Sequence, residues 1–201
     1  MIAPERVNGR LQESEYAQLQ AHLMVSPVGI RTPRLAIREL TNADTAALTM
    51  ITSDSDVTRY LSFGPTREAE VRGLIDFAIS SSQATPRMDY ALAVVRASDD
   101  VLVGSCGLAI DPDTLDSAEV YFVLRADVWG QGLASELLPA LLTLGFERLA
   151  VQRIFGVAHP ENVTSQHVMV RSGMTFDGRI LEAFEGVHGW LEGNRYTILR
   201  A

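Results

Sequence analysis

A short glycine-rich segment is the part of this sequence best suited to bind an anion. Gly130, Gly132 and Ala134 alternate with larger residues between a β-rich run that ends at Leu124 and a long apolar-periodic stretch. Small residues let a ligand approach the backbone, and the first turn of a helix leaves several N–H groups without intrahelical acceptors. With the positive end of the helix dipole, these donors would suit a phosphate or diphosphate. An ordinary helix start, with small residues for packing, explains the same pattern.

The segment differs from two common nucleotide-binding motifs. Ser135 stands where a dinucleotide-binding fingerprint would carry its third glycine, and the Gly-Lys-Ser/Thr ending of a P-loop is missing. A nucleotide-binding protein of either type is therefore a distant alternative.

A second group of polar residues lies downstream, after a short β-like run over 153–157. Asn162 and Ser165 open a helix that runs to Ser172, where Gly173 fits the left-handed conformation that ends many helices. Asn162 also fits as a helix N-cap, and Ser165 as an ordinary first-turn serine. The spacing alone leaves the structural and the functional interpretation open.

The order of these motifs resembles the GNAT superfamily of N-acetyltransferases, and within it the RimJ/RimL-like branch. Residues 129–136, Trp-Gly-Gln-Gly-Leu-Ala-Ser-Glu, look like the diphosphate loop of that branch, and residues 160–178 look like its second cofactor motif. Residues 32–38 resemble its first strand, and residues 189–199 resemble its closing strand. The likeness covers about residues 30–201.

Two positions depart from the family pattern. Trp129 stands three residues before Gly132, where the superfamily usually has Arg or Gln. Leu191 and Glu192 follow Trp190, where the branch often carries an Asp. The second departure concerns the side of the site that would bind the acceptor.

The resemblance implies an α+β fold, the GNAT acyl-CoA N-acyltransferase fold, with a mixed, mostly antiparallel sheet flanked by helices. It divides the chain into an N-terminal extension, residues 1–29, and an acetyltransferase domain, residues 30–201. A weak apolar pattern over residues 11–24 predicts a helix in the extension.

Periodicity along the chain predicts the elements that would position the candidate residues. Strands are expected over 34–40, 90–95, 101–110 and 118–124, with a turn over 97–100, and helices near 67–80 and 131–149. Asn42 or Asp44 would cap the helix that follows them. Pro139 lies inside the longest helix, and because the apolar pattern continues to Phe146, we expect a bend there and not an end.

The resemblance also implies acetyl-CoA as the co-substrate, with its pantetheine arm in a gap beside the strand that ends at Leu124. The strand backbone would contact the arm, the loop would hold the diphosphate, and Asn162 would bind the arm from the other side. If Asn162 serves only as an N-cap, that last contact is lost. The predicted cofactor-binding residues are Phe122, Val123, Leu124, Gly130, Gln131, Gly132, Leu133, Ala134, Ser135 and Asn162.

Acetyl transfer needs a neutral amine, a donor to the thioester oxygen and a proton for the departing thiolate. Within the resemblance, a backbone N–H near Leu124 would donate to the oxygen, and the Ser165 hydroxyl would donate to the sulfur. Glu119, at the start of the loop strand, is the candidate general base, acting through water; a solvated carboxylate at a strand end is the alternative. We therefore predict Ser165 and Glu119 as catalytic residues.

The predicted reaction is direct attack of an amine on acetyl-CoA. An α-amine with a pKa of about 8 is already roughly one-fifth neutral near pH 7.4, whereas a lysine amine is only about 0.1% neutral. A protein N-terminal α-amine would thus need little help from a base, and the amine of a small molecule is the other candidate acceptor. A non-catalytic CoA-binding module and an enzyme that uses another acyl-CoA are the alternatives.

Composition restricts the classes of function. The net charge of −8 disfavours nucleic-acid binding and would suit a cationic acceptor, although moderate acidity also keeps proteins soluble. All 17 basic residues are Arg, which excludes a lysine base or a Schiff base. Cys106, the single cysteine, lies in an apolar run and is expected in the core. His22, His159, His167 and His188 are too scattered for a metal site, so no metal is predicted.

Location and assembly follow from weaker signals. No apolar run approaches the roughly 20 residues that span a bilayer, and residues 1–10 lack the pattern of a secretion signal. We expect a cytoplasmic protein without a membrane partner. The family resemblance and the predicted N-terminal helix favour a homodimer.

Overall fold

An eight-stranded sheet forms the centre of the structure, a computed structural model that describes residues 6–7, 10–11, 27–183 and 190–201. The first two strands, β1 (Arg6–Val7) and β2 (Arg10–Leu11), form a separate antiparallel pair. The sheet contains β3 (Gly29–Arg31), β4 (Leu35–Glu39), β5 (Leu92–Arg96), β6 (Val101–Ile110), β7 (Ser117–Leu124), β8 (Arg153–Ala158), β9 (Thr175–Ala183) and β10 (Trp190–Leu199).

The sheet has the order β3-β4-β5-β6-β7-β8-β10-β9. All neighbouring strands in this order are antiparallel, except that β7 and β8 run parallel. The predicted mixed, mostly antiparallel α+β sheet is therefore confirmed. The turn predicted over 97–100 is also present, between β5 and β6.

Helices cover both faces of the sheet. They are α1 (Thr45–Thr52), α2 (Ser55–Thr58), α3 (Glu68–Ser82), α4 (Leu133–Thr143) and α5 (Val163–Arg171), with 3-10 turns at Asn42–Asp44 and Ala126–Val128. Alternate side chains of β5 enter two core clusters: Leu92 and Val94 pack with α4 and α5, whereas Ala93 and Val95 pack with α1 and α3. Within the described ranges, no helix is both long and apolar enough to cross a bilayer.

Helix α4 continues past Pro139, as its apolar pattern predicts. It extends to Thr143 and then passes into one π-helical turn, Leu144–Arg148. Pro139 removes one intrahelical hydrogen bond, but Leu137 and Leu141 on either side of it are fully buried. Packing against the sheet therefore carries the helix across the missing bond.

The N-terminal segment differs from its prediction where the structure describes it. Leu11 pairs with Arg6 in the β1–β2 pair, so the predicted helix does not begin at Leu11. Residues 12–24, which hold the rest of that predicted helix, lie outside the described chain. The division of the chain after residue 29 stays a prediction; β3 begins at Gly29, and Val28 before it is buried in the core.

Asp44 stands at the N-cap of α1, but its carboxylate binds elsewhere. Arg38 on β4 donates to it through two guanidinium nitrogens at 2.8 Å, and the N–H and hydroxyl of Thr41 donate at 2.8 and 2.9 Å. Burial raises the pKa of the Asp44 carboxyl, but these hydrogen bonds outweigh burial and hold that pKa below its ordinary value. Asp44 therefore occupies the predicted N-cap position, but its side chain does not cap α1. It joins the 3-10 turn before α1 to β4.

We predict that Asp44→Asn lowers the free energy of unfolding by about 2 kcal/mol near neutral pH, because Arg38 loses its anionic partner. The folded-state pKa of Asp44 lies below the unfolded value, so its contribution is full above the unfolded pKa and is lost as pH falls through the folded pKa. Denaturant unfolding of wild type and variant should therefore give stabilities that converge in acid. A difference that stays constant from neutral pH into acid would contradict this role.

Candidate functional site

Strands β7 and β8, which run parallel, pair along only part of their length in the described sheet. The last register pair of β7 and β8 joins Glu119 to Phe155. Val120 and Gly156 are still close, since a Cβ on Gly156 would lie 3.3 Å from the Val120 carbonyl oxygen. Beyond them, residues 121–124 of β7 have no strand partner on this side in the described sheet, and a gap opens between β7 and β8.

Backbone groups of β7 face this gap. The Arg125 N–H donates to the Val103 carbonyl of β6 at 2.8 Å, and successive residues of a strand direct their N–H and C=O groups to alternate sides. Phe122 and Leu124 therefore direct theirs toward the gap. The indole N–H of Trp129 donates to the Leu124 carbonyl at 2.8 Å, which satisfies that carbonyl and fixes the loop to the strand end.

The loop after β7 turns through two glycines with left-handed backbone. Gly130 and Gly132 have φ angles of 72° and 76°, which residues with a Cβ rarely adopt. Gly132 is the N-cap of α4, and its carbonyl accepts the Glu136 N–H at 3.2 Å. The N–H groups of residues 133–135 precede this first intrahelical bond, so the geometry of a helix leaves them without an acceptor within it. The loop therefore offers backbone donors where the sequence predicts an anion.

Thr32, Arg34 and Glu136, here called the loop clamp, hold the start of α4 against the connection between β3 and β4. The Glu136 carboxylate accepts from Arg34 Nε at 2.6 Å, the Arg34 N–H at 2.7 Å and the Thr32 hydroxyl at 2.6 Å. A further Arg34 nitrogen donates to the Gln131 carbonyl at 2.8 Å. Arg34 therefore neutralises a carboxylate that would otherwise repel an anion at this helix start.

The hydrogen bonds of the loop clamp change the acidity of its carboxyl group. Burial raises the pKa of Glu136, but the bonds from Thr32 and Arg34 outweigh burial and hold that pKa below its ordinary value. Glu136 is consequently ionised at neutral pH, and its pairing with Arg34 persists there.

A cavity of about 500 Å³ opens beside the gap, on the face of the sheet that carries α1 and α3. Its walls are mainly apolar and aromatic, a composition typical of sites for small molecules. Glu119, Phe122 and Val123 of β7 are part of the wall. The carboxylates in the wall belong to Asp89, Glu119 and Glu192, and none of the described residues that line it is an Arg.

Asp89 is fixed in this wall by a tyrosine from β7. The Tyr121 hydroxyl donates to Asp89 Oδ1 at 3.0 Å. Tyr121 lies opposite Gly107 of β6, where any Cβ would collide with the tyrosine ring. Burial raises the pKa of the Asp89 carboxyl and of the Tyr121 hydroxyl. This pair was not predicted from the sequence, in which a glycine inside a strand is the one signal for it.

Asn162 and Ser165 lie at the start of α5, which follows β8. The Asn162 side-chain oxygen accepts the Ser165 N–H at 3.1 Å, so Asn162 is the N-cap of this helix. Gly173, with a φ of 88°, ends the helix as predicted. A cofactor contact of Asn162 and a catalytic role of Ser165 stay predictions.

The segment between β8 and α5 is braced by Gln166. Its side-chain nitrogen donates to the carbonyls of His159 and Pro160 at 3.2 and 2.8 Å, and its oxygen accepts the Tyr196 hydroxyl at 3.0 Å. Tyr196 is buried in the core. The His159 ring stacks on Tyr60 with 5.3 Å between ring centroids, and both rings line the cavity.

The structure brings together part of the predicted site. Glu119, Phe122 and Val123 line the cavity, whereas Ser165 and Asn162 are not among the described residues that line it. Gly189 and His188 lie outside the described residues, as does the side chain of Trp190. The loop clamp and the Asp89–Tyr121 pair were not foreseen.

Cys106 is fully buried in the core, as predicted. Burial raises the pKa of its thiol, which makes it a poor nucleophile. In the described parts of the chain, no group of three or more His, Cys, Asp or Glu side chains could hold a metal ion.

Comparison with known proteins identifies the relatives of this chain. The acetyltransferase (GNAT) domain matches residues 34–175. The uncharacterized N-acetyltransferase p20 of Bacillus licheniformis is 29% identical over 161 residues, which cover 80% of this chain and 89% of that protein. Both matches include the β7 strand and the loop that follows it.

Two solved structures share the fold. The spermidine N-acetyltransferase of Vibrio cholerae, in complex with CoA and spermine, has a TM-score of 0.71 and 21% identity, over 84% of this chain and 96% of that chain. RimL, a ribosomal L7/L12 α-N-protein acetyltransferase in complex with CoA, has a TM-score of 0.74 and 20% identity, over 86% of this chain and 98% of that chain. At these identities the two likenesses show a shared fold.

We predict that Glu136→Gln makes the amides of residues 130–135 exchange with solvent about tenfold faster, because Arg34 loses the charged half of its pair. Hydrogen-exchange mass spectrometry or NMR would measure this. Glu68→Gln is the control, since it breaks the exposed Arg72–Glu68 pair on α3 (2.7 Å) and should leave the loop unchanged. Equal loop exchange in wild type and Glu136→Gln would show that the loop clamp does not order the loop.

Proposed function

Because this chain belongs to the GNAT acetyltransferase family, we propose that it transfers the acetyl group of acetyl-CoA to a primary amine by direct attack, without an acetyl-enzyme intermediate. The observation that carries the proposal is the separation of β7 from β8, with the glycine loop at its end and the cavity beside it. A thioester in the gap would meet an amine in the cavity along residues 119–123. A non-catalytic CoA-binding module is the alternative, and it would bind CoA without turnover.

The proposed cofactor site combines the gap and the loop. The backbone of Phe122, Val123 and Leu124 would contact the pantetheine arm, and the direction of the N–H and C=O groups of Phe122 and Leu124 supports that contact. Residues 130–135 would hold the diphosphate through their amides and the helix dipole. Asn162 would contact the arm through its amide nitrogen, because its oxygen already caps α5.

In the proposed chemistry, one group donates a hydrogen bond, a second accepts a proton and a third donates a proton. The amine lone pair attacks the thioester carbon, a C–N bond forms, and the C–S bond breaks. The Leu124 N–H, directed toward the gap, would donate to the carbonyl oxygen. Glu119 in the cavity wall would take the amine proton through water, and the Ser165 hydroxyl would give a proton to the departing thiolate and recover one from solvent.

The identity of the amine that is acetylated is a separate part of the proposal. The names of two structural relatives, a spermidine N-acetyltransferase and a ribosomal-protein α-N-acetyltransferase, describe amines of very different size. For this chain we propose either a small-molecule amine or a protein N-terminal α-amine. The described wall of the cavity contains three carboxylates and no Arg, which supports an acceptor that arrives as a cation. Homodimerisation and a cytoplasmic location stay predictions.

We predict that Gly132→Glu weakens acetyl-CoA binding at least about tenfold, which corresponds to ~1.4 kcal/mol. The new carboxylate would repel the diphosphate, and a residue with a Cβ is strained at a φ of 76°. Calorimetric titration would measure the change. Gly73→Glu is the matched control, since a Cβ at this exposed α3 position has open space around it. Failure of the wild type to bind acetyl-CoA would refute the proposed function.

We predict that Glu119→Gln lowers kcat roughly 100-fold near neutral pH and leaves the affinity for acetyl-CoA unchanged, because only the proton acceptor is lost. At higher pH more of the amine is already neutral, so the variant should regain activity relative to wild type. Initial rates with one amine, measured from neutral to alkaline pH, test this. A deficit that does not shrink with pH would exclude Glu119 as the base.

A further inference from the structure

We propose that Asp89, held by Tyr121, makes the enzyme select acceptors that carry a second cationic group besides the amine that is acetylated. The inference rests on the proposed acetylation of an amine beside Glu119, and it names the substrate class of that cavity. Asp89 would act as a specificity-determining residue and would take no part in the transfer of the acetyl group.

The register of the sheet sets the distance between Asp89 and Glu119. Asp89 pairs with Ala109 of β6, and Ala109 pairs with Glu119 of β7. Residues directly opposite one another on neighbouring strands present their side chains on the same face. The two carboxylates therefore stand on one face, about 10 Å apart at their Cα atoms, which is two strand spacings. Ala109 stands between them in the register, and both carboxylate-bearing residues line the cavity.

Several contacts hold Asp89 in position. The hydroxyl of Tyr121 donates to its Oδ1 at 3.0 Å, and Gly107 gives the tyrosine ring the space to cross β6. The backbone carbonyl of Asp89 accepts from Ser81 Oγ at 2.8 Å and from Arg87 Nε at 2.9 Å. Both the backbone and the side chain of Asp89 are thus fixed before any acceptor binds.

Among the described residues, no cation forms an ion pair with the Asp89 carboxylate. Arg87 is the Arg whose charge acts on Asp89, but its guanidinium is buried and makes two hydrogen bonds to Glu39, at 2.7 and 2.9 Å. A carboxylate in an apolar wall is costly when ionised. A ligand cation at Asp89 would offset that cost, whereas a neutral group there would not.

The shape of the cavity suits an acceptor with an apolar linker. Tyr60, Phe63 and Phe77 line it with aromatic rings. These rings would pack on methylene groups and attract a cation over their faces. An alkyl chain with an amine at each end would therefore place one nitrogen beside Glu119 and the other beside Asp89.

The test compares two acceptors of equal length. One is a five-carbon diamine, and the other is the five-carbon amino alcohol in which a hydroxyl replaces one amine. We expect the wild-type kcat/KM for the diamine to exceed that for the amino alcohol by at least about twentyfold, of which roughly twofold reflects its two equivalent ends. In Asp89→Asn this ratio should fall to roughly two. Asp113→Asn, at an exposed carboxylate in the β6–β7 connection, should keep the wild-type ratio.

A second variant, with a smaller change, tests the proposal if Asp89→Asn does not fold. Tyr121→Phe keeps the Asp89 carboxylate but removes the donor that orients it, so its ratio should lie between those of wild type and Asp89→Asn. An equal ratio in wild type and Asp89→Asn, or a wild type without preference for the diamine, would overturn the proposal.

Binding separates this proposal from the proposed reaction. The CoA-saturated protein is titrated with each acceptor, and the diamine should bind at least about tenfold more tightly to wild type than to Asp89→Asn. Such binding without acetylation of either acceptor would refute the proposed reaction and keep Asp89 as the cation site. Equal diamine affinity in wild type and variant would refute the role of Asp89, whether or not acetylation occurs.

Discussion

The unpaired edge of β7 is the constraint on which the arrangement of this site depends. Strand N–H and C=O groups that lose a partner must be satisfied by another group or by a ligand, since leaving them buried and unpaired is costly. Beyond Glu119 the edge facing β8 has no strand partner in the described sheet, and the Trp129 indole satisfies the Leu124 carbonyl. A molecule that enters the gap could satisfy the remaining groups.

Charge is distributed unequally around that edge. At the loop, Arg34 neutralises Glu136, so the amides at the start of α4 face no unpaired carboxylate from this helix turn. In the cavity, Asp89 and Glu119 face a wall without Arg among the described residues. An anionic cofactor and a cationic acceptor would thus be attracted to opposite ends of one strand, and their reacting groups would meet between them.

The sequence predicts local features better than contacts between distant residues. Strands β4 to β8, the course of α4 past Pro139 and the left-handed Gly173 follow from periodicity and residue type within short windows. The Arg34–Glu136 pair joins residues 102 positions apart, and the Tyr121–Asp89 bond joins residues 32 apart. Neither pairing leaves a periodic signal. The spacing of Asn162 and Ser165 fits both an N-cap and a ligand contact, because one amide side chain can serve in each.

The loop clamp places a positive charge beside a loop that has Trp129 where the resemblance to the broader superfamily leads us to expect Arg or Gln. The Trp129 indole N–H donates to the Leu124 carbonyl, and the Gln131 side chain donates to the Asp127 carbonyl at 3.0 Å. These donors therefore bind the backbone and do not face a ligand. A guanidinium nonetheless stands at the loop, since a Cβ on Gly132 would lie 3.7 Å from Arg34 Nη2. The positive charge near the loop thus comes from Arg34 in the connection between β3 and β4. We therefore expect the order of the loop to depend on a residue far from it in sequence.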